Sequence, residues 1–163
     1  MPVTKFEKDP EALTMTVTAE FAAPPERIWT LWEDPRQLER WWGPPEWPAT
    51  FTRFDFRVGG GANYEMRGPD EVSRGWWRIL EIEPAARLVL EDGWANEDGS
   101  PADMPTTIAT ITFESLGGGT RMVNRTQIPT AEYFEQLAGM GVEAGARASL
   151  DQIDAILEEQ ATE

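Results

Sequence analysis

The chain has 163 residues, with 29 acidic and 14 basic side chains for a formal net charge of -15, eight tryptophans, seven phenylalanines, and neither cysteine nor histidine. The two missing residue types exclude disulfides, thiolate nucleophiles, imidazole bases and the usual zinc ligands. The excess of carboxylates repels nucleic-acid phosphates and anionic membrane surfaces, so neither nucleic acid nor membrane is an expected partner.

Forty per cent hydrophobic content in a chain of this length predicts one domain with a core of its own. The start, MPVTKFEKDPEALTMTV, has no basic patch followed by an apolar run, and no later stretch reaches bilayer length, which predicts a cytoplasmic location. Residues 1–12 are mixed in charge and show no period, so a frayed, flexible tail is expected there, with a single domain over 13–160. From Leu13, LTMTVTAEF alternates Leu13, Met15, Val17, Ala19 and Phe21 against threonines and Glu20, as a strand with one buried face requires.

Pro24 and Pro25 stop that ladder, and PERIWTLWED places Ile28, Trp29, Leu31 and Trp32 on one broad helical face. Asp34 then caps a second short helix whose first position is Pro35, with Leu38, Trp41 and Trp42 facing the core and Gly43-Pro44-Pro45 ending it. Six strand-like segments follow: WPATFTRFDF, GGGANYEMRG, SRGWWRILEIEP, RLVLEDGW, TTIATITFESL and TRMVNRTQIP. Glycine- and proline-rich links of hairpin length join most of them, so the sheet is antiparallel; only the polar connector at 95–105 is longer. Thr130 caps a helix running almost to the end, with a joint expected at Gly139 and Gly141, in which Val142, Ala146, Leu150, Ile153, Ile156 and Leu157 form an apolar stripe.

A curved antiparallel sheet wrapped around that long C-terminal helix, with two short helices between the first two predicted strands, buries both apolar faces in an α+β arrangement. The stretch RWWGPPEWPA, residues 40–49, is then the exit from the second short helix into the next strand, where its tryptophans can plug one end of the space between sheet and helix.

The segments FAAPPERIWTLWEDPRQLERWWGP (21–44), RVGGGANYEMRGPD (57–70), GWWRILEIEPAARLVLE (75–91), GGTRMVNRTQ (118–127) and GARASLDQIDAIL (145–157) together resemble the AHSA-type family. These are the bacterial single-domain relatives of the activator of the ninety-kilodalton heat-shock protein ATPase. The family belongs to the START-like, or SRPBCC, superfamily, with the helix-grip fold of the birch pollen allergen. That resemblance implies the fold; because the superfamily includes lipid and hormone carriers, polyketide cyclases and co-chaperones, it implies no single activity. Many relatives carry an aromatic residue where this chain has Ala146, and Ala144, Gly145, Ala148 and Ser149 around it are also small. Either tryptophans or a ligand fills the space so left.

Catalytic patterns are sparse. The glycine triplets lack the strand-to-helix context and the lysine of a phosphate loop, and NEDG at 96–99 has Trp94 and Pro105 where a calcium loop needs acidic ligands. No catalytic residue, metal ligand or cofactor is assigned. Glu65, Glu81 and Asp92 lie on strands, but one-dimensional spacing does not show two carboxylates converging. The expected ligand-binding wall is aromatic and apolar: Trp41, Trp42 and Trp47 at one end; Phe51, Tyr64, Met66, Trp77, Ile111, Phe113 and Met122 from the sheet; Val142, Ala146 and Leu150 from the helix.

Trp76 and Trp77 leave the inward face of their strand open, since a slip of one residue exchanges them. Asn124, and any of Arg53, Arg67, Arg78 and Arg125 that points inward, would orient an acidic or carbonyl-bearing guest; arginines on the outer face would instead pair with carboxylates. The leading expectation is noncatalytic binding of a small hydrophobic or aromatic molecule. A protein-interaction or co-chaperone-like module, and a cyclase-like enzyme using Tyr64, an inward arginine and a carboxylate, are the alternatives. A homodimer is compatible with the sequence, and no feature in it demonstrates one.

Overall fold

Alternation in the sequence becomes a single sheet in the computed structural model, which describes residues 2–161. Its strands are β1 (Val3–Asp9), β2 (Thr14–Phe21), β3 (Ala49–Phe54), β4 (Gly61–Arg67), β5 (Val72–Glu83), β6 (Arg87–Trp94), β7 (Thr107–Leu116) and β8 (Gly119–Gln127). They lie in the order β1-β2-β8-β7-β6-β5-β4-β3, and every neighbouring pair is antiparallel. Register shifts at Phe51/Arg53 and Ile79/Glu81 mark bulges, which bend the strands that carry them.

Residues 3–9, expected to fray, instead form edge strand β1, pairing with β2 from Val3 opposite Ala19 to Asp9 opposite Thr14. An edge strand with most of its side chains in solvent shows little apolar alternation, so its sequence looks unstructured; backbone pairing with β2, the buried Val3 and the half-buried Phe6, which packs against the core, hold it.

Helices α1 (Pro25–Glu33) and α2 (Pro35–Trp42) stand between β2 and β3. Each has proline in its first turn, and the Asp34 carboxylate accepts the Arg36 backbone N–H at 3.0 Å to cap α2. The final helical segment is two pieces, α3 (Ala131–Gly139) and α4 (Val142–Ala161), broken where Gly141 takes φ +75°. Thr130 caps α3 by accepting the Tyr133 N–H at 3.1 Å. No helix among the described residues is long and apolar enough to cross a membrane.

The main core is an aromatic plug. Trp32 meets Trp41 edge-on at 4.8 Å, Trp42 meets Trp77 at 5.0 Å, and Phe51 meets Trp77 at 5.4 Å. Edge-to-face pairs of this kind contribute about 0.5–1.5 kcal/mol each beyond burial. Leu150, Ile153 and Ile156 of α4 join the same cluster.

The chain exit from α2 is tight. A Cβ at Gly43 would strike the Trp47 carbonyl oxygen, and that turn is closed by the Trp47 N–H donating to the Pro44 carbonyl at 2.8 Å. The ring of Trp47 then lies over Gly68. Because the obstacle is backbone between prolines, it cannot swing aside as a side chain would. Gly43→Ala is therefore expected to lower the free energy of unfolding by about 1–3 kcal/mol, read from urea denaturation; a variant as stable as the parent contradicts this packing.

Candidate functional site

The pleat sends alternate residues of each strand toward α4. Across the sheet this inward row includes Val17 opposite Asn124, Asn124 opposite Ile111, Ala109 opposite Leu90, Asp92 opposite both Thr107 and Trp77, and Gly75 opposite Tyr64. At one end the row is sealed by the aromatic plug. At the other, the α3–α4 joint and the first turns of α4 stand over it, enclosing a cavity of about 450 Å³. Gly141, Val142, Gly145 and Ala146 form its helical wall, and a Cβ at Gly145 would meet nothing within 4 Å. Met140, 59% exposed, marks where the cavity meets solvent.

Of the wall expected from sequence, Trp42, Tyr64, Met66, Ile111, Asn124, Val142 and Ala146 line this cavity. Trp41, Phe51, Trp77, Phe113, Met122 and Leu150 point the same way but do not line it; they are buried in the plugged end. Phe113, for example, packs against Trp29 at 5.4 Å. Trp47 lies elsewhere, against Gly68. Strand parity predicts a face, not a position along the strand, and the six core residues sit where α1, α2 and the later turns of α4 already fill the space. Trp77 is the inward member of its pair, while Trp76 lies over Gly93, its cross-strand partner.

The arginines take the outer surface. Arg53, Arg67, Arg78 and Arg125 are exposed; Arg53 donates to Asn63 at 2.7 Å and Arg67 pairs with Glu65 at 3.1 Å. Glu65 and Glu81 are likewise engaged there, the latter with Arg87 at 3.2 Å. No lysine or arginine is found among the described residues lining the cavity.

Of the strand carboxylates Glu65, Glu81 and Asp92, the last is the one that faces in, and among the described residues it is the charged side chain lining the cavity. Tyr64 donates its hydroxyl hydrogen to Asp92 Oδ1 at 2.9 Å. Gly75 makes that bond attainable, because any Cβ there would collide with the Tyr64 ring lying across β5. Burial raises the Asp92 carboxyl from its ordinary 3.8 to about 7, against the opposing hydrogen bonds from Tyr64 and the Gly93 backbone. Burial, then the neighbouring Asp92, push the Tyr64 hydroxyl well above its ordinary value. Beside this pair, Trp94 donates its indole N–H to the Tyr133 hydroxyl at 2.9 Å, tying β6 to α3. Across the cavity floor Asn124 keeps its carboxamide oxygen buried without a hydrogen-bond partner.

Sequence reasoning passed over Asp92, Trp94 and Tyr133 as wall residues. The signal for Asp92 was present, since it shares parity with the buried Leu88 and Leu90 on β6.

A large antiparallel sheet closed by a long terminal helix, with a hollow between them, is the helix-grip architecture. The family model described as Activator of Hsp90 ATPase homolog 1-like protein matches residues 22–158, and the chain belongs to that family. Among solved structures, protein Ms6760 of Mycobacterium smegmatis is 44% identical, with a TM-score of 0.90 over 96% of this chain and 97% of that one. A protein from Arthrobacter aurescens is 48% identical, with a TM-score of 0.91 over 96% of this chain and 92% of its own. The AHSA1 protein of Silicibacter pomeroyi, 18% identical over 90% of this chain and 99% of its own, shares the fold at a TM-score of 0.71. No curated protein matches the chain.

The Asp92 carboxyl makes stability depend on pH in an unusual direction. Below about 4 it is protonated in both states; between 3.8 and about 7 the unfolded chain has lost that proton and the folded chain retains it. Stability contributed here therefore falls as pH rises across that window and is constant above it. At ~1.4 kcal/mol per pH unit the full effect is on the order of 4 kcal/mol. Asp92→Asn should gain stability relative to the parent as pH rises from about 4 to about 7, and gain no more beyond about 8. Urea denaturation of both proteins across that range measures the difference; a flat difference removes the buried carboxyl from the account.

Proposed function

We propose that the chain binds a small hydrophobic or aromatic molecule in the cavity between the sheet and the α3–α4 segment. The observation that carries this reading is the hollow itself: apolar and aromatic walls from the sheet, the short helices and the α3–α4 segment, left open because Gly145 and Ala146 project little side chain into it. Its volume of about 450 Å³ lies within the range of small-molecule sites, and polar groups, among them Asn124 and the Tyr64–Asp92 pair, interrupt its apolar lining as they do in such sites.

The energetics divide between two kinds of contact. Burying about 200 Å² of apolar ligand surface at ~25 cal/mol/Å² yields on the order of 5 kcal/mol before the costs of association. Apolar contact alone thus supports weak, unselective binding. Orientation then falls to Asn124, whose carboxamide oxygen is unpaired, and to the Tyr64–Asp92 pair.

Trp42 and Trp94 line the cavity, so their fluorescence reports occupancy. Titration with a panel of neutral two-ring aromatics is expected to perturb that fluorescence and raise the melting temperature. Ala146→Phe, which puts a ring into the hollow, should weaken such binding by about tenfold or more, equivalent to ~1.4 kcal/mol, while its own melting temperature stays within a few degrees of the parent's. A silent parent, or a variant that binds as the parent does, refutes the reading.

A further inference from the structure

We infer that the guest of this cavity carries a cationic nitrogen, an amine or quaternary ammonium on an apolar body, and that Asp92 is its counter-ion. The ligand class so named rests on the binding role proposed above and narrows it.

Among the described residues that line the hollow, Asp92 is the charged one, and no basic side chain stands there to receive an acid. None of the described ion pairs includes it. Its partners are donors of hydrogen bonds, the Tyr64 hydroxyl at 2.9 Å and the Gly93 backbone N–H, which leave its negative charge uncompensated. A partly buried carboxylate without a counter-charge is costly, and a cation placed beside it offsets part of that cost. A neutral guest leaves it in place; an anionic guest adds like-charge repulsion.

The walls beside Asp92 have the complementary chemistry. Tyr64 is bonded to it, Trp42 meets the Tyr64 ring at 5.6 Å, and Trp94 lies two residues along the same strand face with its indole bonded to Tyr133. Ring faces attract ammonium groups, and do so more strongly where water is excluded. The net charge of -15 raises the local concentration of cations around the whole molecule.

Burial raises the Asp92 carboxyl to about 7, so its charged form is the one that gains from a cation placed beside it. A cationic guest needs the ionised form and therefore displaces the carboxyl proton. Among the described residues, the titratable side chains that line the cavity with Asp92 are Tyr64 from β4, whose hydroxyl burial pushes well above its ordinary value, and Tyr133 from α3; the lining residues of α2, α4, β5 and β7 carry no ionisable group.

Calorimetry of the full chain with 2-naphthylethylamine, 2-naphthylethanol and 2-naphthylacetate tests the inference, because the three probes share a body and differ in charge. At about pH 8 the amine is expected to bind about tenfold or more tightly than the alcohol, and the acetate more weakly than the alcohol. From about pH 8 to about pH 6 the amine should lose about tenfold in affinity as Asp92 takes up its proton, while the alcohol should not lose affinity. Asp92→Asn should abolish the preference for the amine over the alcohol. If that variant does not fold, the charge preference and pH slope of the parent still decide.

Alcohol binding with no preference for the amine overturns the ligand class and leaves the cavity as a binding site. A preference that survives Asp92→Asn, or an amine affinity flat with pH, overturns the role given to Asp92. Silence from all three probes overturns this inference and the binding role together.

Discussion

The last turn of α2 presents carbonyl groups that its own helix cannot satisfy, and α4 supplies the donors. Gln152 Nε2 donates to the Gly43 carbonyl at 2.8 Å and to that of Trp41 at 3.4 Å, while Ser149 Oγ donates to the Trp42 carbonyl at 3.2 Å. These bonds fix α4 at its middle. Its later turns, through Ile153 and Ile156, bury into the main core, and Arg40 of α2 reaches Glu159 at 2.6 Å. Its first turns are thereby held over the sheet where the chain offers only Gly145 and Ala146 to fill the gap. The hollow follows from this placement: a helix pinned at one end against tryptophans cannot settle onto the strands at the other.

α2 can serve as an anchor because it is itself tied down. Glu39 accepts the Phe51 N–H at 2.7 Å, and Arg36 donates to the Phe51 carbonyl at 3.1 Å, so both backbone groups of one β3 residue are bound to the helix. The dense aromatic stretch at 40–49 thus divides its work. Trp41 and Trp42 pack edge-to-face into the plug, Gly43 lets the chain turn beneath Trp47, and Trp47 covers Gly68 on the hairpin beyond β4. Prolines forbid a regular element over this stretch, and the backbone bonds that such an element would have made are replaced by those from α4.

Much of this fold was legible because buried faces impose a period. The alternation from Leu13 to Phe21, the capping Asp34 with Pro35, and the break at Gly139 to Gly141 each reflect a local constraint that a sequence displays directly. β1 was not legible, since an edge strand whose core contacts are Val3 and Phe6, set apart by a bulge, is held chiefly by backbone pairing and shows no strict alternation. The site was half legible for a different reason. Parity assigns Tyr64, Ile111, Asn124 and Phe113 alike to the inner face, but only the three-dimensional placement of α1 and α4 decides that Phe113 is packed and Asn124 is open. Asp92 was passed over although it shares parity with Leu88 and Leu90; parity alone would also turn Glu81 inward with Trp77 and Ile79, and it is the bulge between Ile79 and Glu81 that leaves Glu81 exposed.

The cavity lies at a seam between two apolar clusters. The larger contains the tryptophan plug and the later turns of α4; the smaller joins Met15 and Ile128 to Tyr133 and Phe134 of α3. Residues of both line the hollow, Trp32 and Ile111 from one, Met15 and Tyr133 from the other. Because each cluster packs among its own residues, occupancy of the hollow would bear on the seam rather than on either core. The Trp94–Tyr133 bond and the left-handed Gly141 are the two joints across that seam, one tying α3 to the sheet and the other freeing its direction from that of α4. A guest that reached Asp92 would therefore touch both clusters at once, which is how binding to a small site can be felt across the whole domain.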